Sequence, residues 1–172
     1  MAQTNLRGRA VIEKLNSMAV DLIGVTLTTD AETIADNELV ARAIEIPNAV
    51  AVTGGSAIIQ SIVVKNRDDS VESPALQFII ADVATQLGTD EGEALNVADA
   101  NTGGLLGSFT VSNYDTLYPS NNEMATKTNI GLVVKAASDS RSIYVHVVNR
   151  SGGDYTPSST TDLQCRIGIV KD

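Results

Sequence analysis

The chain has no tryptophan, one cysteine, one histidine and only 3% aromatic residues. Each scarcity excludes something. A lone Cys165 cannot close an internal disulfide, so the sequence does not read as a stapled secreted module, and folding in a reducing cytosol is expected. With no Trp, two Phe and four Tyr, the stacked-ring platform on which sugar sites usually rest is thin. No apolar run approaches the roughly 20 residues that span a bilayer. The opening residues MAQTNLRGRAVIEKLNSM lack an uninterrupted signal-peptide core, so neither membrane anchoring nor classical export is expected. A Walker loop, GxGxxG, HExxH, GxSxG and paired CxxC are all missing, which points away from an enzyme and from a bound cofactor or metal. Cations are also few. Twelve Lys+Arg against 21 Asp+Glu give a net charge of −9, which opposes binding to nucleic acid or to an anionic membrane.

What remains is apolar and strand-like. The 172 residues are 43% hydrophobic, and a domain of this size removes roughly 70% of its extended-chain surface from water, enough for a core without staples. From about residue 21 onward, short runs rich in Val, Ile and Thr alternate with Gly, Asn, Asp, Ser and Pro. Strands are predicted at 22–28, 39–46, 57–65, 75–82, 105–112, 130–136, 142–149 and 163–170. No long helical period separates them, so two packed antiparallel sheets are expected: an all-β sandwich, jelly-roll-like or a related Greek key, of about eight strands. Residues 21–172 form that domain, and residues 1–20 an extended N-terminal arm.

Alternation assigns faces. Ile143, Val145 and Val147 form the core side of one strand, with Tyr144, His146 and Val148 opposite. Leu163, Cys165, Ile167 and Ile169 point inward, opposite Gln164 and Arg166, which makes Cys165 a small buried hydrophobe. The 39–46 segment alternates poorly. Gly-Gly pairs at Gly54, Gly103 and Gly152 recur at equal spacing, but their flanks share no apolar pattern and no repeat follows.

Charge is uneven along the chain. The arm carries Arg7, Arg9 and Lys14 against Glu13 alone, whereas Asp68 to Thr126 contains ten acids and no Lys or Arg. Within that span, a loop starting at Asp99 meets only half of the calcium-loop pattern, with Gly104 in place but Thr110 where Glu is required, so a solvated acidic loop is expected. His146 lies mid-strand with no sequence signal for a nucleophile or orienting acid, and reads as packed at a surface or subunit contact. Pairing it with Cys165 as a thiol nucleophile conflicts with the apolar side on which Cys165 falls. Tyr114, Tyr118 and Tyr155 sit in predicted loops. With Arg7, Arg9 and Lys14 they are the candidate partner-binding residues.

Three segments carry a resemblance: VKNRDD at 64–69, LQFIIADVATQLGTDEGEALNVADANTGGLLG at 76–107, and ATKTNIGLVVKAASDSRSIYVHVVNR at 125–150. Their order resembles that of capsid decoration, or cement, proteins of tailed bacteriophages, over roughly residues 20 to 170. The resemblance implies a β-sandwich that binds the outer surface of the assembled head and reinforces contacts between major capsid protein subunits. It also implies assembly in the host bacterial cytoplasm, residence on the capsid exterior, and self-association as a dimer or trimer. No functional residue is carried over. The competing expectation is a receptor- or glycan-binding module of a tail or head fibre.

Overall fold

The computed structural model describes residues 19–29, 32–68, 73–84, 87, 90–117 and 122–171. Among the described residues there are ten strands: β1 (Ala19–Thr26), β2 (Leu39–Ile46), β3 (Ser56–Asn66), β4 (Leu76–Ala81), β5 (Leu105–Val111), β6 (Asp115–Leu117), β7 (Asn122–Lys127), β8 (Leu132–Lys135), β9 (Ile143–Asn149) and β10 (Leu163–Lys171). One short 3-10 turn, Asp99–Gly104, precedes β5.

The strands make two antiparallel sheets. One runs β1-β10-β3-β7-β6, with β8 also paired to β3; the other runs β2-β9-β4-β5. The pairings nest as in a single long hairpin, β1 with β10, β2 with β9, β3 with β8 and β4 with β5. Winding that ribbon over itself adds β10·β3 and β4·β9, which is the jelly-roll arrangement.

Between the sheets lies the main core. β3 contributes Ile59, Ile62 and Val64, β10 contributes Leu163, Cys165, Ile167 and Ile169, and β9 contributes Ile143, Val145 and Val147. Cys165 is the buried hydrophobe that alternation implied. Phe78 of β4 is fully buried and its ring stacks on Phe109 of β5, with centroids 5.6 Å apart and planes 8° from parallel. At about 1.5–3 kcal/mol per fully buried aliphatic or Phe side chain, this layer is the dominant favourable term in the fold.

The four-stranded sheet has a second apolar layer on its outward side. Leu39, Ile79 and Val148 are buried there with Leu87, and Leu95, Val97 and Leu105 pack against them. Leu39 N–H donates to the Glu93 carbonyl at 3.0 Å and Leu95 N–H to that of Asn37 at 3.0 Å, so the stretch after β4 is laced to the start of β2. This cover corrects one expectation: His146 is not at a surface, because the cover leaves it with 0% exposure.

β2 departs from simple alternation because its register against β9 shifts twice, between Leu39 and Ala41 and between Ala41 and Ile44. Ala43 sits in the second irregularity at φ 51, a left-handed conformation rare for a residue with a Cβ. β6 and β7 were absent from the strands predicted by sequence. Glu123 and Ala125 occupy the inward positions of β7, a pattern with no apolar run to announce it.

Candidate functional site

The two outward faces of the sandwich differ. The cover over the four-stranded sheet is described at residues 82–84, 87 and 90–104 and holds Asp82, Asp90, Glu91, Glu93 and Asp99; the 82–104 sequence has no Lys or Arg. Arg42 of β2 reaches Asp90 at 3.0 Å. Among the described residues none covers the six-stranded sheet in this way, and every described residue on its outward side is at least partly exposed.

Cross-strand register builds that bare face row by row. Val20 pairs with Val170, Val170 with Ile58, and Ile58 with Val133, placing four apolar side chains in line across β1, β10, β3 and β8. Val20 is 75% exposed, Val133 65%, and Leu22, next to Val20 on the same side, 60%. A second row sets Gly24, Arg166, Val63 and Thr126 side by side, and a third sets Thr26, Gln164, Lys65, Met124 and Asp115. Lys135 lies beyond Val133 on the same side of β8, and exposed Arg67 follows β3 at the rim.

Four cations, Lys65, Arg67, Lys135 and Arg166, thus share one face of an acidic protein. No side-chain hydrogen bond or ion pair joins them to another described residue. Two shallow recesses lie among them. Gly24, Thr26, Lys65, Gln164 and Arg166 are among the residues lining the first; Lys65, Arg67, Leu117, Asn122, Gln164 and the acid Glu123 are among those lining the second. Lys65 stands between them.

The β1 edge adjoins this face. Leu27 N–H donates to the Leu163 carbonyl at 2.9 Å, which phases the odd-numbered residues toward β10. The backbone groups of Val20, Leu22, Gly24 and Thr26 therefore point away from β10, where no described strand pairs with them. Edge strands are commonly protected by Lys or Pro, and β1 has neither. Its one charge, Asp21, is held by Lys171 of β10.

The sequence-predicted residues do not converge on this face. Arg7, Arg9, Lys14 and Tyr118 lie outside the described residues. Tyr155 is 1% exposed and its backbone bridges Ile34, so it is a core residue of this chain. Tyr114 packs against the core, and its hydroxyl is buried with no hydrogen-bond partner among the described residues. Burial raises its phenol pKa, with the Glu123 carboxylate and then Cys165 adding to the shift. Neither ring is offered as an open platform. Cys165 and His146 sit on different sheets, Cys165 pointing into the core and His146 outward under the cover, so they do not form a pair. The linear acidic span also divides: Asp68 and Glu123 are buried, while Asp90, Glu93 and Asp99 are exposed. Asp68 accepts from the Ser158 hydroxyl at 2.6 Å and the Ser158 N–H at 2.9 Å, a structural task. Among the described residues no group of three His, Cys, Asp or Glu is placed to hold a metal ion.

Alternation had already set Arg166 and Gln164 outward. Joining them to Lys65 and the Val20–Val133 row needed the strand order, which no local pattern carries.

No family model matches the chain, and no curated protein sequence matches it. Among solved structures, a chain of the T13 particle of infectious bursal disease virus aligns with 90% of this chain and 31% of its own length, at 14% identity and a TM-score of 0.33. A structure of the Gx strain of that virus aligns with 88% of this chain and 38% of its own, at 11% identity and a TM-score of 0.19. The chain spans about a third of the length of each of these relatives.

Proposed function

We propose that the chain is a non-catalytic decoration protein of a tailed-phage head, binding the outer surface of the assembled shell and stabilising contacts between major capsid protein subunits. One observation carries the reading beyond the sequence resemblance. The sandwich closes one outward face with its own acidic cover, while the other, among the described residues, is uncovered and carries an apolar row across four strands. A contiguous exposed apolar strip on a soluble sandwich marks an interaction surface rather than a reaction site.

The mechanism is linkage. A module that binds the assembled lattice and not its dissociated subunits stabilises the lattice by its own binding free energy. Binding as a dimer or trimer spreads that stabilisation over several subunits through effective concentration.

The test is to mix the purified protein with undecorated heads of the phage that encodes it. Co-sedimentation with the heads and raised resistance of the heads to heat are expected. If the protein ignores heads and binds host cells or glycan, the fibre-module alternative replaces this reading.

A further inference from the structure

The bare face has a charge opposite to that of the whole molecule. Lys65, Lys135 and Arg166 lie on outward strand positions with Arg67 at the rim; Asp115 is the one acid at a described outward position within the strands, and Asp162, whose carbonyl accepts from the Arg67 N–H, stands at the same rim. The chain as a whole is −9. None of the four has a carboxylate partner among the described residues, and one supplied from outside would neutralise them.

We infer that this face docks on a carboxylate-rich surface of the shell protein, with Lys65 and Arg166 receiving its acidic side chains and the Val20–Val133 row covering an apolar strip beside them. This rests on the decoration reading above. The recess between Lys65 and Arg166 is lined also by Gln164 and Thr26, donors suited to carboxylate oxygens, whereas the second, beside Arg67 and Asn122, already has Glu123 in its lining. Such pairing steers encounter and fixes orientation, while the apolar row supplies buried area.

Other occupants fit less well. A twofold contact between two copies through this face sets cations against cations. A contact between this face and the acidic cover of another copy joins opposite sides of the sandwich, so copies stack without closing and make an open filament. A phosphate polymer would satisfy the cations and leave Val20, Leu22 and Val133 in water.

The experiment compares three proteins for binding to undecorated heads by co-sedimentation: wild type, Lys65→Glu with Arg166→Glu, and Glu91→Lys with Glu93→Lys. All four positions are at least partly exposed, and thermal unfolding checks that each variant retains the wild-type fold. The inference expects wild-type affinity to fall as salt rises from about 50 to about 500 mM, and the Lys65/Arg166 reversal to weaken binding by at least about tenfold. The Glu91/Glu93 reversal should bind as wild type does. Val133→Asp, which disturbs only the apolar row, should also weaken binding.

A folded Lys65/Arg166 reversal that binds heads like wild type overturns this docking face and leaves the decoration reading standing. Wild-type protein that does not bind heads at all overturns the decoration reading itself. Equal wild-type affinity for heads, duplex DNA and anionic vesicles, abolished by the same reversal, overturns the assignment of a protein partner. Concentration-dependent growth of wild-type oligomers in low salt, lost in either reversal, overturns it in favour of a second copy.

Discussion

The backbone N–H of Ala43 donates to Nδ1 of His146 at 3.1 Å. Ala43 lies at φ 51 in the irregular stretch of β2, where its N–H has left the regular ladder, and the imidazole of β9 receives it. An accepting Nδ1 places the proton of the neutral ring on Nε2, which is buried without a partner among the described residues. His146 is thus a positioning group for a distorted strand, held neutral.

Its pKa is lowered from 6.5 to about 4, first by burial and second by the Arg42 charge. The unfolded chain therefore binds a proton below pH 6.5 that the folded chain refuses until about pH 4. Stability contributed by the neutral ring is fully present above pH 6.5 and is lost as pH falls toward 4, on the order of 3 kcal/mol over the window. Urea midpoints measured at pH 7 and pH 4.5 should differ accordingly, over and above any carboxylate effect. His146→Gln keeps an acceptor for Ala43 without a titrating ring, so its midpoint should fall less between the same two pH values. An identical drop in both proteins would assign the pH dependence elsewhere.

These residues show where sequence reading stops. Strand β2 was legible as an apolar segment at 39–46, with the bounds it has in the structure, but its two register shifts were visible only as poor alternation. For β9, alternation identified Ile143, Val145 and Val147 as core, yet it could not report that the other side is buried too. That burial comes from Leu87, Leu95 and Val97, far off in sequence and unremarkable as an apolar pattern. β7 escaped because an inward Glu123, held by the Ser73 hydroxyl at 2.5 Å, looks solvent-facing in a linear pattern. The uncovered face with its apolar row is legible only once β1, β10, β3 and β8 are laid side by side, since its residues are drawn from distant parts of the sequence.

Asn149 should be among the least replaceable polar residues. Its Nδ2 donates to the carbonyls of Ile34 at 3.0 Å and Gly153 at 2.9 Å, and its Oδ1 accepts from Ser151 N–H at 3.0 Å and Ser151 Oγ at 2.6 Å. The amide thereby ties β9 to the Ile34–Tyr155 bridge. Asn149→Leu removes four hydrogen bonds, but the Ile34 carbonyl keeps the Tyr155 N–H and the exposed Gly153 and Ser151 can turn to water, so a loss of about 1–3 kcal/mol is expected in urea unfolding. Hydrogen exchange at the Tyr155 N–H, bonded to the Ile34 carbonyl at 2.9 Å, should accelerate beyond what the global loss explains.

The Phe78–Phe109 stack joins β4 to β5 directly across a register pair. Phe78 is fully buried and Phe109 only partly, so truncation should be unequal. Phe78→Ala is expected to cost about 3–5 kcal/mol and Phe109→Ala clearly less. The double variant should fall short of the sum by about 0.5–1.5 kcal/mol, the coupling of a stacked aromatic pair. Strict additivity would reduce the contact to two independent burials.

Cys165 supplies a built-in reporter of core opening. Burial pushes its thiol up to about 12, and its side chain is 2% exposed on the inward side of β10. At pH 8 only about one thiol in ten thousand is then thiolate while the chain is folded, against a substantial fraction when it is unfolded. A thiol reagent should therefore react at a rate that follows the population of the open chain, rising with urea along the same transition that fluorescence or circular dichroism reports. Rapid stoichiometric labelling in native buffer would mean that the β1–β10 edge opens independently of the rest of the sandwich. Cys165→Ala and Cys165→Ser separate packing from polarity at the same site. Alanine leaves a small void, whereas serine brings a hydroxyl into an apolar layer, so serine should be the more destabilising of the two by about 1 kcal/mol or more.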